Sequence, residues 1–249
     1  MSIGHEVSVV VLSHNNLGIT IRFLDAFCKH TDLDKVSLLW IDNGSSSATT
    51  DYLTNFLYEH DFEIDINLLF NDDNKGVIGG RNQGFDWFLT DSYNSPYLLF
   101  LDNDQIVGKN WLEQHLSVIK AGYDIVGIEA WLINDNFLPV RRNTHINQEF
   151  SYVGCGGMLL ARYVVEKVGK FDIQFNPCYF EDPDYNFRVI DEGMKIGWNI
   201  SANIEHIPHQ TLGNKKDKNI LFKNSFMKFK SKWGHRKVPR LKQEFLSEF

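Results

Sequence analysis

The segment 97–104, YLLFLDND, runs from five apolar residues into Asp102-Asn103-Asp104. In a regular strand, residues i and i+2 share a face, so the two carboxylates would lie side by side. Close carboxylates repel, and burial adds a desolvation cost. A divalent cation relieves both. Hard oxygen ligands suit Mg2+ or Mn2+, which can then hold a diphosphate. The plainer reading is an exposed turn or a helix cap, because Asp and Asn favour both.

A second acidic group lies in FNPCYFEDPDYNFRVIDEG, where Glu181, Asp182 and Asp184 stand among Tyr179, Phe180 and Tyr185. One of these carboxylates can serve as a general base. The same spelling also suits a helix start, with Pro183 in the first turn and Asp182 as its N-cap. In IEHIPHQTLG, His206 and His209 are either structural or complete the shell begun by Asp102 and Asp104. The segment NKGVIGGRNQGF lacks the Gly-Lys-Ser/Thr of a phosphate loop and the strict dinucleotide fingerprint. Gly76, Gly79 and Gly80 nevertheless permit close backbone approach, and Arg81 offers a fixed fork to a phosphate or base. A flexible, closely packed turn is the alternative. In IDNGSSS, Asp42 either accepts from a nucleobase or ribose, or belongs to a strand-to-helix turn with a serine cap.

These residues need a frame. VSVVVLS (7–13), VSLLWID (36–42), INLLFND (66–72) and YLLFLDND read as buried strands. Helical patterns over 17–31, 48–60 and 77–92 separate them. This alternation predicts an α/β fold, a Rossmann-like, mostly parallel central sheet with helices on both faces. Ligands bind such sheets at the carboxyl ends of the strands, where Ser13-His14-Asn15-Asn16, Asp42-Asn43 and Asp102-Asn103-Asp104 would form one rim. Further on, WLEQHLSVIK reads as a helix and DIVGIEAWLI as one strand. YVGCGGMLLARYVVEKVG reads as a strand or turn leading into a helix.

The 249 residues, 43% hydrophobic, are enough for one large domain or two small ones. The simplest division is a single domain over 1–213, in two halves (1–105 and 106–213). A basic aromatic tail over 214–249, helical in pattern, follows. No apolar run approaches the length of a membrane span. The N-terminal MSIGHEVSVVVLSHNN lacks the features of a signal peptide and reads as a first strand. Three scattered cysteines fit reduced thiols, not a disulfide framework, and so a cytoplasmic protein. The net charge of −7 hides an asymmetry: 11 of the 25 Lys and Arg lie after Gly213, against three acids there. The tail could meet phosphates, an anionic membrane surface or the acidic body itself. The acidic body argues against a nucleic-acid partner.

Taken in order, the motifs resemble glycosyltransferase family 2, on the type A glycosyltransferase fold. VSVVVLSHNN is similar to its opening strand and turn, and IDNGSSSATTDYL to its nucleotide motif. NKGVIGGRNQGF is similar to its Arg-Asn-x-Gly segment, and FLDNDQIV to its Asp-x-Asp metal motif. GCGGMLLAR and FNPCYFEDPDYNF resemble its acceptor-side block, which ends in Glu-Asp, and KFKSKWG a Lys-Trp-Gly ending of many bacterial members. The resemblance covers roughly 6–234, and it implies that 1–105 is a nucleotide-sugar-binding half and 106–213 an acceptor-side half. Asn43 stands where a second Asp is commoner, as in subgroups resembling rhamnosyl- and galactofuranosyl-transferases. Gly80 replaces the usual Ala, and EHIPHQT departs from the usual histidine segment.

The resemblance implies roles. Asp182 matches the catalytic base, and Asp102, Asp104, His206 and His209 supply the candidates for holding Mn2+ or Mg2+. His206, five residues before Thr211, is the first choice between the histidines. Ser13, Asn15, Asp42, Asn43, Gly76, Arg81, Asp102, Asn103, Gly157 and Glu181 form the substrate- and nucleotide-binding set. The implied activity is inverting transfer of a hexosyl or deoxyhexosyl group from a UDP- or dTDP-sugar. The implied acceptor is a glycan or lipid-linked hydroxyl in bacterial surface polysaccharide synthesis, with the enzyme on the inner face of the membrane. A sugar-phosphate nucleotidyltransferase and a non-catalytic glycan-binding member are the competing readings.

Overall fold

The computed structural model describes residues 5–60, 65–90, 94–207 and 215–243. The first strand, β1 (Val7–Ser13), and the second, β2 (Val36–Asp42), are buried at every residue. Strands apolar on both sides must be covered on both sides. They pair in parallel with each other, and β1 pairs in parallel with β4 (Tyr97–Asp102). At the edge, β3 (Asp65–Phe70) pairs in parallel with β2. On the other side of β4 lie β10 (Met158–Ala161), β6 (Ile125–Gly127) and β11 (Ile196–Trp198). The order across the sheet is β11-β6-β10-β4-β1-β2-β3, and β10 alone runs antiparallel to its neighbours.

Register decides which helix covers which face. Val11 is paired with Trp40, and Val10 with Phe100. Helix α1 (Leu17–His30) brings Phe23 edge-on to Trp40, with ring centroids 5.4 Å apart. Helix α3 (Gly76–Thr90) lies on the opposite, Val10 face. There a Cβ on Gly84 would come 2.6 Å from Val10 Cγ1, and one on Gly80 2.5 Å from Leu12 Cδ1. The glycines thus let α3 sit close on the sheet, and any side chain at Gly80 or Gly84 would lift it. Helix α2 (Ser47–His60) follows β2. Helix α4 (Trp111–Lys120) buries Trp111 beside Phe27.

The segment expected as one strand over DIVGIEAWLI is two. The chain leaves the main sheet after β6, at Ile128-Glu129, and β7 (Ala130–Ile133) joins a second sheet with β8 (Pro139–Arg142) and β9 (Tyr152–Val153). A two-stranded ribbon pairs β5 (Gln105–Val107) with β12 (Ile204–His206). Helix α5 (Arg162–Val168) follows β10, and α6 (Glu181–Asp191) opens with the second acidic group. Asp182 is not its N-cap. Phe180 holds that place in the left-handed conformation (φ 66°), which puts Asp182 inside the first turn.

Helix α7 (Lys215–Trp233) packs on α6, and its Phe229 and Trp233 belong to the same core as the sheet. Asp184 of α6 is fully buried. It accepts from Trp233 Nε1 at 2.8 Å, lies 2.7 Å from Lys232 Nζ and takes Arg188 Nε at 3.1 Å. Asp184 therefore anchors the two helices to each other. Among the described residues no helix is long and apolar enough to cross a membrane.

Candidate active site

The parallel strands end together, Ser13 in register with Asp42 and Leu12 with Asp102. Two clusters stand on this rim. The first gathers Ser13, Asn15, Asp42, Asn43 and Gly76. Ser13 is buried and accepts from Trp40 Nε1 at 2.8 Å. Asn43 is saturated: it donates to Asn74 Oδ1 and the Gly76 carbonyl, and accepts from Lys75 N and Asn71 Nδ2. It clasps the end of β2 to the start of α3. Gly76 has φ 75°, and a Cβ there would meet Asn176 and Pro177 at 2.7 Å. Asn15 binds the β2–α2 loop, its N–H donating to Ser45 Oγ and its Oδ1 accepting from Ser46 N. Asp42 accepts from Ser45 N through Oδ1, while its buried Oδ2 has no hydrogen-bond partner among the described residues. That oxygen is the free acceptor of the cluster.

The second cluster lines a cleft of about 430 Å³ that includes Arg81, Asp102, Glu181, Asp182 and His206. Asp102 projects to the α3 face of the sheet, where Arg81 Nη2 lies 2.8 Å from both its carboxylate oxygens. Arg81 is thus held by Asp102, with its Nε unbonded among the described residues. Asn103 turns inward and donates to Thr20 Oγ1, so it does not line the cleft. Gly157 does not line it either. Its φ is 76°, and its carbonyl accepts from buried His115 Nε2 at 2.9 Å.

The chain turns at Asn103-Asp104, so Asp102 and Asp104 do not share one regular strand. The β5–β12 ribbon sets His206 against Gln105, and His206 Nε2 lies 3.7 Å from Asp104 Oδ1. That span is within reach of two metal–ligand bonds of about 2.1 Å each. Asp104 Oδ1 is buried with no hydrogen-bond partner among the described residues. Burial, then the charge of Asp102, lifts the Asp104 carboxyl to about 6, a cost that a cation would remove. His206 Nδ1 lies 3.4 Å from Glu129 Oε1, a hydrogen bond that raises the ring's pKa and fixes its orientation. Among the described residues no three or more His, Cys, Asp or Glu form a metal cage by themselves. A one-carboxylate, one-imidazole set suits a cation whose remaining ligands are phosphate oxygens and water. His209 and Thr211 lie outside the described residues.

At the start of α6, Asp182 Oδ1 and Glu181 Oε2 are both buried without hydrogen-bond partners among the described residues. Burial, then the charge of Asp182, raises Glu181 to about 8. Burial also raises Asp182, against which Arg81 and the hydrogen-bonding Cys155 pull it down. The helix N-terminus beneath them favours negative charge.

Sequence reasoning passed over several cleft residues. Glu129 is one, and its signal was a lone carboxylate in the apolar run DIVGIEAWLI. Gly156, beside the predicted Gly157, is another: a Cβ there would meet Gln105 Nε2 at 2.8 Å and Asp102 Oδ2 at 2.9 Å. Trp131, Tyr152, Cys155 and Phe222 also line the cleft, brought in from β7, β9, the β9–β10 turn and α7. No local pattern marked them.

The model of the family described as glycosyl transferase family 2 matches residues 8–185, more than half of the chain. The chain belongs to glycosyl transferase family 2. No curated protein sequence matches this family member. Several solved structures share its fold. The mannosyltransferase PcManGT from Pyrobaculum calidifontis, in complex with GDP-Man and Mn2+, superimposes with a TM-score of 0.63 at 12% identity. The match covers 82% of this chain and 58% of that one. GalNAc-T7 with UDP, GalNAc and Mn2+ gives 0.72 at 14% identity, over 92% of this chain and 48% of that one. S. aureus TarS 1–349 with UDP-GlcNAc gives 0.60 at 13%, over 87% and 64%. At such identities the likeness is one of fold. This family 2 chain spans about half to two thirds of the length of these proteins.

Proposed function

We propose that this chain is an inverting glycosyltransferase. It moves a sugar from a nucleoside diphosphate donor, UDP- or dTDP-linked, to a hydroxyl of a glycan or lipid-linked acceptor in bacterial surface polysaccharide synthesis. The observation that carries this reading is the shared cleft: Asp182, whose Oδ1 has no hydrogen-bond partner among the described residues, lines the same space as Asp102 and His206. Mn2+ and a nucleotide or nucleotide-sugar accompany two of the structures of similar fold, which supports the same pairing here.

Asp104 and His206 would hold the cation. When bound, it offsets negative charge on the diphosphate as that group leaves. Asp182 accepts the proton of the acceptor hydroxyl. The hydroxyl oxygen bonds to the anomeric carbon while the bond from that carbon to the diphosphate breaks. The electron pair leaves with the diphosphate and the proton stays on Asp182. Attack from the face opposite the leaving group inverts the configuration, and no glycosyl-enzyme forms. Asp42, through Oδ2, accepts from the base or ribose. A cytoplasmic setting accords with three free cysteines.

Thermal melting with UDP, dTDP, GDP and CDP, each with Mn2+, Mg2+ or EDTA, tests the donor side. A nucleotide at a hundredfold excess over its dissociation constant adds about 2.7 kcal/mol. The expected shift is specific to UDP or dTDP and is lost in EDTA and in Asp104→Ala. Asp182→Asn should keep that shift and lose turnover by a factor of about 100 or more. A fully active Asp182→Asn would remove Asp182 as the base. Turnover of a nucleoside triphosphate with release of pyrophosphate would replace the reading by nucleotidyl transfer.

A further inference from the structure

Several cations of the C-terminal region are matched to acids: Lys232 with Asp172 and Asp184, Arg236 with Asp191, Arg240 with Asp135 and Lys242 with Glu149. The outward face of α7 is arranged differently. Lys216, Ile220, Lys223, Met227 and Lys230 follow one another at intervals of four, three, four and three residues, which places them on one stripe of α7. The stripe lies opposite buried Ser225 and Phe229. Ile220 is 50% exposed and Met227 58%. Ile173 is 62% exposed and sits beside the helix, where Lys228 Nζ donates to the Gln174 carbonyl. Asp217 is the only acid in the helix. Lys223 makes no ion pair among the described residues.

We propose that this outward face of α7 is a docking surface for an anionic phospholipid bilayer. Apolar side chains alternating with lysines suit a helix lying in the plane of a membrane. The apolar groups enter the acyl boundary, and the long lysine stems carry their charges to the headgroups. The chain as a whole bears a net charge of −7 and would be repelled by such a surface, so the attraction is local to this face. Phe222, on an adjoining side of the same helix, lines the active cleft. A bilayer on α7 therefore lies beside the mouth of that cleft, where a lipid-linked acceptor would be delivered. That last consequence rests on the glycosyl-transfer reading, whereas the binding itself does not.

Vesicle flotation of the full chain tests the proposal, with phosphatidylcholine alone or with about 30% phosphatidylglycerol. The chain should float with the anionic vesicles and not with the neutral ones. It should be released as salt approaches 1 M, where the screening length falls to about 3 Å. Lys223→Glu/Lys230→Glu should lower partitioning about tenfold or more, and Ile220→Ser/Met227→Ser should lower it as well. All four sites are solvent-facing, so melting temperatures should stay at the wild-type value. Asp182→Asn should float as the wild type does, which separates lipid binding from turnover. No binding to anionic vesicles, equal binding to neutral ones, or indifference to both double variants would overturn the proposal.

Discussion

Arg81 and Asp102 are joined through one guanidinium nitrogen, Nη2, 2.8 Å from each carboxylate oxygen. Burial works against the charge of Arg81, but Asp102 together with the more distant Asp182 and Glu181 outweighs it, and the guanidinium is held more firmly protonated than usual. The same cation faces Asp182 and Glu181, so it offsets three carboxylates at once.

Replacing it by Arg81→Met should therefore destabilise the fold. Breaking a buried pair costs about 3–5 kcal/mol, and the 31% exposure of the Asp102 side chain places this pair at about 3. The midpoint of urea unfolding measures it. A wild-type midpoint would mean that solvent already screens the pair.

Glu181 should carry a stability cost that depends on pH. Its ordinary value is 4.5 and its folded value about 8, raised by burial and then by Asp182. Between these values the folded chain keeps a proton that the unfolded chain has lost, so stability falls as pH rises. Glu181→Gln stays neutral at every pH. It should melt higher than the wild type at pH 8 and converge with it near pH 4. Equal melting at both pH values would show that Glu181 ionises freely in the fold.

His115 should act in the opposite sense. It is fully buried, and burial lowers its pKa from 6.5 to about 4 against the bond to the Gly157 carbonyl. Its contribution is whole above pH 6.5 and is lost as pH falls toward 4. The slope in that window approaches about 1.4 kcal/mol per pH unit. His115→Gln should lower stability at pH 7 and flatten this slope. A slope unchanged by the substitution would assign the acid sensitivity elsewhere.

Trp233→Phe tests the link between α6 and α7. The ring can still pack on Phe187, whose centroid lies 5.4 Å from that of Trp233, but the donor to Asp184 is gone. A bond to a buried carboxylate is worth about 2 kcal/mol, readable as a lower unfolding midpoint. No change would mean that Lys232 and Arg188 satisfy Asp184 without it.

The strands were the legible part of the sequence. The runs 7–13 and 36–42 coincide with β1 and β2, because five apolar residues in seven, with apolar side chains on both faces, are best satisfied in a doubly covered sheet. The third strand stops at Phe70, short of the expected 72, since the Asn71 side chain is engaged by Asn43 and Gln83. Where the chain changes sheets, at Ile128-Glu129, the choice is tertiary, and an unbroken apolar run does not reveal it. The start of α6 is similar. Phe180 displaces Asp182 from the cap because its ring packs on Phe222, Phe226 and Phe229 of a helix far along the chain. At the rim, the sequence marked residues able to bind ligand. It could not show that Asn43 and Asn103 spend their amides on the protein, whereas Asp42, Asp104 and Asp182 each keep an oxygen unbonded among the described residues.

Asp184 has a consequence for the order in which this molecule is made. The helix that carries Glu181 and Asp182 leaves the ribosome before α7 exists. Until then the buried carboxylate beneath them has Arg188 but neither Trp233 nor Lys232. The floor of the cleft is finished only when the later helix docks. A nascent chain released or clipped before that point would retain every residue of the acidic pair and lack the support that holds it in place.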